Sequence, residues 1–60
     1  MDHDEIRIAR LRAGVKQQDM AKRLRITSAR LSQFERHGVP LKPRTLERLV
    51  KEIQKLKTNV

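Results

Sequence analysis

Residues 28–36 read SARLSQFER. At 100° per residue a helix there puts Ala29, Gln33 and Arg36 on one side, with Arg30 and Ser32 flanking them and Ser28 at the leading end. The chemistry of this face is recognition of flat polar edges. A glutamine amide such as that of Gln33 can both donate and accept, matching adenine N6 and N7, whereas an arginine such as Arg36 prefers the two acceptors O6 and N7 of guanine. The hydroxyls of Ser28 and Ser32 can bond either kind of base edge or a phosphate. Ala29 and the methyl of Thr27 suit a thymine methyl. Arginines apart, these side chains are small, so the backbone could come close to a partner. They lack the bulk that a core position needs and the ligand chemistry of a metal site.

Such a face is useful only if something holds it out. Leu31, Phe34 and Glu35 fall on the opposite side and are expected to point inward. Just before them, QQDMAKRL at 17–24 reads as a second short helix, with Met20, Ala21 and Leu24 on its inward face. Ala21 is small enough to let the following helix cross close above it. Arg25, Ile26 and Thr27 leave room only for a sharp corner, and Thr27 suits the N-cap of the second helix. Two helices joined in this way over 17–36 form a helix-turn-helix, and the pattern points to duplex DNA. The corner carries an anomaly. The residue after Leu24 commonly needs positive φ, where glycine is unstrained, and Arg25 would be strained there by about 1 kcal/mol. Either the strain is tolerated or the turn has another shape.

The remaining segments read as supports. Asp2 and Glu5 form a capping pair for a first helix running to about Ala13 and ending at Gly14. Ile6, Ala9, Arg10 and Ala13 share one face of it. Arg10 on an apolar face requires a partner, and Glu35 is the expected one; the alternative is that Arg10 snorkels to water. Ile8 and Leu11 lie on the other face, which a four-helix core does not need. Single exposed apolar residues are ordinary, so the choice is between no role and contact with a second subunit or another protein. Val15 should tuck under the first corner. His37, Gly38 and Pro40 break the third helix, and Leu41-Lys42-Pro43-Arg44 makes a basic loop, with Pro43 suited to the first turn of the last helix. Leu46, Leu49, Val50, Ile53 and Leu56 recur at helical spacing, with Leu56 left for a dimer seam. Glu47 and Lys51 are spaced as an i,i+4 ion pair, and residues 57–60 are expected to fray.

Fifteen Lys and Arg against seven Asp and Glu give a net charge of +8, with Phe34 the one aromatic residue. The excess calls for a polyanion, and the lack of stacking platforms argues against single strands. Gln17, Gln18, Arg30, Lys42 and Arg44 are the expected phosphate contacts. Sixty residues allow a single domain, 1–60. There is no cysteine for a disulfide or thiolate site. No apolar run is long enough for a membrane span, and the acidic start is wrong for a secretory signal. No catalytic residues, metal site or cofactor are expected. His3, third from the N-terminus, has a spacing that can chelate Cu(II) or Ni(II), a property any chain with that spacing would share.

With these residues in place, the chain resembles the Cro and phage-repressor (Xre-type) helix-turn-helix family from about Ile6 to Leu56. The resemblance rests on IRIARLRAG leading to Gln17, on Ala21, on the Leu24–Ile26–Thr27 corner, on LSQFE, and on Pro43 before the last apolar helix. Departures are Arg25 in place of the usual glycine and His37 as an extra residue before Gly38. The family commonly adds a fifth helix that helps dimerise, and this sequence ends where that helix would begin. The resemblance implies an all-α, compact lambda-repressor-like domain of four helices, with five as the alternative count. It also implies a buried Arg10–Glu35 ion pair, a Gln17 phosphate contact and a second motif helix lying in the major groove. The expected function is a sequence-specific regulator of transcription, a repressor binding its operator as a homodimer, cytoplasmic, nucleoid-associated and prokaryotic or phage-encoded. The competing expectation is an antitoxin or anti-repressor that holds another protein through Ile8 and Leu11.

Overall fold

The computed structural model describes residues 2–58, and among these every regular element is helical: α1 (His3–Arg12), α2 (Gln17–Leu24), α3 (Ser28–His37) and α4 (Pro43–Thr58). No fifth helix occurs among the described residues. α4 is helical through Thr58, and Asn59 and Val60, the end of the stretch expected to fray, lie outside the described residues.

Three of the four helix starts have a local cause. The Asp2 carboxylate accepts from the Glu5 backbone N–H at 2.9 Å and opens α1. Thr27 Oγ1 accepts from the Arg30 N–H at 3.1 Å and opens α3. Pro43, with its φ already near the helical value, begins α4. α2 starts after Lys16 without a side-chain cap.

The helix ends are equally specific. After α1, Gly14 takes φ +72°, its N–H bonding to Leu11 O and that of Val15 to Arg10 O. After α2 the same pair of bonds recurs one motif later, Arg25 N–H to Lys22 O and Ile26 N–H to Ala21 O, with Arg25 itself at φ +58°. The corner therefore has the shape a glycine would give it, and an arginine bears the strain. α3 closes on Gly38 at φ +68°.

α1 and α2 each pack against both α3 and α4. The apolar centre is Ile6, Met20, Ala21, Leu24, Leu31, Phe34, Leu49 and Ile53, all buried, with Ala9, Val15, Ile26, Leu46, Val50 and Leu56 half-covered around it. Two residues depart from the sequence expectation. Leu41 belongs to the core rather than to a solvated loop, and it anchors the α3–α4 connection from inside. Ala13 is exposed, because the apolar face of α1 ends at Arg10. The expected Glu47–Lys51 pair does not form. Instead Glu52 reaches Arg23 at 3.5 Å and ties α4 to α2.

Candidate nucleic-acid interface

The placement of α3 is set from its inner face. Leu31 and Glu35 are 0% and 1% exposed, and Phe34 only 7%. Glu35 is surrounded by donors. Its Oε2 accepts from Arg10 Nε at 2.8 Å, and its Oε1 accepts from Arg10 Nη2 at 2.8 Å and from Gln17 Nε2 at 3.2 Å. Arg10 spends its remaining Nη1 on the Val15 carbonyl, also at 2.8 Å. This two-pronged pair is the strong form of a charged hydrogen bond, and it joins α1, the α1–α2 corner, α2 and α3 at one point. No buried side-chain nitrogen or oxygen among the described residues lacks a partner, so the cost of burying the two charges is offset by full satisfaction.

A second tie comes from His3, for which sequence spacing suggests only a metal-chelating motif and no structural part. His3 Nδ1 bonds the Glu35 carbonyl oxygen at 2.9 Å, and its ring meets Phe34 edge-on with centroids 6.3 Å apart. That carbonyl lies in the last turn of α3, where backbone acceptors lack intrahelical donors. His3 thus supplies the missing donor, and the same nitrogen that the chelating motif would need is already engaged. No cluster of potential metal ligands occurs among the described residues.

The outer face of α3 is bare. Thr27, Ser28, Ala29, Arg30, Gln33 and Arg36 are exposed and Ser32 is half-buried. None of their side chains bonds within the domain except Thr27, whose hydroxyl caps the helix. Six of the seven candidate recognition and flanking positions therefore keep their polar side chains or methyl groups uncommitted, on a helix that is rigidly held from behind.

The candidate phosphate contacts fall in two places. Gln17 and Gln18 occupy the first turn of α2, whose uncapped backbone N–H groups project with the positive end of the helix dipole. Gln17 is half-buried and shares its amide with Glu35, leaving one N–H free. Arg30 and Lys42 line one cleft together with Arg25, Ile26 and Thr45. Arg44 lines the adjoining cleft, again with Arg25 and Thr45, and with Arg48 and Lys51. Lys42 and Arg44 are exposed. The spacing of charges in sequence gave no hint that Arg25 would meet α4, because the contact depends on how the corner turns.

Of the apolar residues reserved for a partner, Ile8 and Leu11 are 44% and 56% exposed. Leu56 is half-buried against the core. Ile8 and Leu56 line a common cleft with Glu5, Ala9, Arg12, Ala13 and Lys57, and Leu11 stands outside it. No helix among the described residues is long and apolar enough to cross a membrane.

A family model described as a helix-turn-helix domain matches residues 4–51, from the first turn of α1 to the middle of α4. No curated protein and no solved structure gives a match.

Proposed function

The chain belongs to the helix-turn-helix domain family, and from that premise we propose that it is a sequence-specific regulator of transcription. α3 enters the major groove of duplex DNA, and the protein acts as a repressor that occupies its operator as a dimer. The observation that carries this reading is the uncommitted outer face of α3, backed by a sealed inner face.

The roles divide by chemistry. Gln33 bonds adenine through N6 and N7, Arg36 bonds guanine, and Ser28 and Ser32 adapt to either kind of base edge. Ala29 and the Thr27 methyl meet thymine methyls. Gln17 and Gln18 hold one backbone stretch through the α2 N-terminus, while Arg30, Lys42 and Arg44 hold another. Phosphate contacts supply affinity through counterion release, and base edges supply the choice of sequence. Support for a dimer comes from the exposed Ile8 and the cleft it shares with Leu56.

The test is selection from a random duplex pool followed by gel shift on the selected site and on the DNA upstream of the protein's own gene. A preferred sequence with two half-sites about one helical turn apart, centre to centre, and two protomers per duplex by sedimentation, support the reading. Uniform binding to every duplex contradicts it.

One observation favours a second role beside the first: Ile8 and Leu11 are open apolar groups that the domain's own core does not use. An antitoxin or anti-repressor would hold a protein there and still bind DNA through α3. Replacing both by Glu leaves DNA binding by the monomer intact and abolishes association, whether with a second copy or with the protein encoded beside it. An unchanged association state and unchanged partner capture would remove this role.

A further inference from the structure

α1 and α2 end with the same pair of backbone bonds around a left-handed residue, Gly14 in one case and Arg25 in the other. Glycine is the unstrained choice at both places. Arg25 is the single non-glycine residue at positive φ among those described. A strained residue that persists where a simpler one would serve asks for a reason in function.

The surroundings of Arg25 supply one. Two adjoining clefts meet at Arg25, Leu24 and Thr45, between the helix-turn-helix corner and the first two turns of α4. Together they are lined by six cationic side chains, Arg25, Arg30, Lys42, Arg44, Arg48 and Lys51, against one carboxylate, Glu47. None of the six forms an ion pair or a side-chain hydrogen bond within the domain. Arg23, outside the clefts, does pair with a carboxylate, so the lack is not a general property of this basic surface. Unpaired like charges gathered along one groove repel one another and concentrate an anion. The groove begins beside Arg30 at the foot of α3 and ends on α4 at Lys51, well past Lys42 and Arg44.

We propose that Arg25 and Arg48 form a phosphate clamp that continues the backbone grip of duplex DNA from the α3–α4 loop onto α4, and that Arg25 retains its strained conformation for this contact. The inference rests on the DNA-binding reading above. Of the two, Arg25 is the defining member, since it faces both clefts and a glycine there would remove it.

The experiment measures binding to a mixed-sequence 30-base-pair duplex at 50 and 200 mM salt, for the unaltered chain and for Arg25→Gly, Arg25→Lys, Arg48→Gln, Lys42→Ala and Arg12→Gln. Arg12 lies on the far cleft beside Ile8 and controls for net charge. Each phosphate contact adds roughly 0.9 to the salt slope, so losing one narrows the affinity change between the two salts by about 3.5-fold. That narrowing is expected for Arg25→Gly and for Arg48→Gln, and twice over when they are combined. Arg25→Lys and Arg12→Gln keep the original slope. Arg25→Gly also raises the melting midpoint, by about 4–8 °C, so that tighter folding and weaker binding appear in one variant. Slopes for Arg25→Gly and Arg48→Gln equal to that of the unaltered chain, with Lys42→Ala reduced, overturn the clamp and leave the DNA reading standing. A slope reduced equally by Arg12→Gln also overturns it, as a mere net-charge effect. Absence of salt-dependent duplex binding by the unaltered chain removes both.

Discussion

The two faces of α3 are built on opposite terms. Toward the interior, Leu31, Phe34 and Glu35 are buried, and Glu35 alone accepts bonds from Arg10, Gln17 and, through its backbone carbonyl, His3. Toward the outside, Ala29, Gln33 and Arg36 are exposed, and no side-chain hydrogen bond or ion pair ties them to the domain. The same ten residues therefore carry stability on one side and recognition on the other. Substitutions should separate cleanly, changing the folding free energy or the binding preference but not both.

The severest way to break this division is to remove one half of the buried pair. Arg10→Ala leaves Glu35 charged and unpaired in the interior, a loss of about 3–5 kcal/mol. A domain of this size has a total stability of roughly 3–9 kcal/mol on the usual per-residue scale, so the variant should lose a large share of it and melt well below the parent by circular dichroism. Arg10→Met combined with Glu35→Leu removes both charges and should recover most of the melting midpoint. If the single variant melts like the parent, the pair does not set α3.

On the outer face, Gln33→Ala should weaken binding to the selected site by about 1–3 kcal/mol and leave binding to unrelated duplex almost unchanged, by titration of both. Its melting curve should superimpose on the parent's. Equal weakening on all sequences would move Gln33 from base reading to backbone holding.

Thr27 sits where the faces meet. Its hydroxyl caps α3, so Thr27→Ala should cost about 1 kcal/mol in chemical denaturation. Thr27→Ser restores that loss, but it removes the methyl assigned to a thymine. A site preference unchanged in Thr27→Ser would limit Thr27 to capping. The smallest effect is expected at Lys42→Ala, a reduction of about 0.9 in salt slope that is the same for every sequence.

Much of this division is readable without coordinates, because its causes are local. The capping groups Asp2 and Thr27, the glycine at 14, the proline at 43 and the stripe from Leu46 to Leu56 each act within a turn of their own position. The outward set on α3 follows from helical spacing. The less legible features join residues distant in sequence. His3 meets the Glu35 carbonyl across 32 positions, and nothing near either residue announces it. Gln17 reads as a plain phosphate-side amide until α3 brings Glu35 against it. Leu41 looks like part of a basic loop, yet the path from α3 to α4 carries it inward. The i,i+4 rule favoured Glu47–Lys51, whereas the carboxylate that pairs across to α2 is Glu52. Arg25 lies between the two cases. The sequence marks the corner as needing positive φ, and the structure decides that the arginine adopts it and turns toward α4.

Whether α3 reads base pairs with its outer face can be measured with one altered protein and two duplexes. Ser32→Ala combined with Gln33→Ala is titrated against the duplex recovered by selection and against a scrambled duplex of the same composition, with its melting midpoint taken alongside. The expected outcome is an unchanged midpoint, unchanged affinity for the scrambled duplex, and loss of the preference between the two by about tenfold or more. An undiminished preference in that variant, with the fold intact, would contradict it.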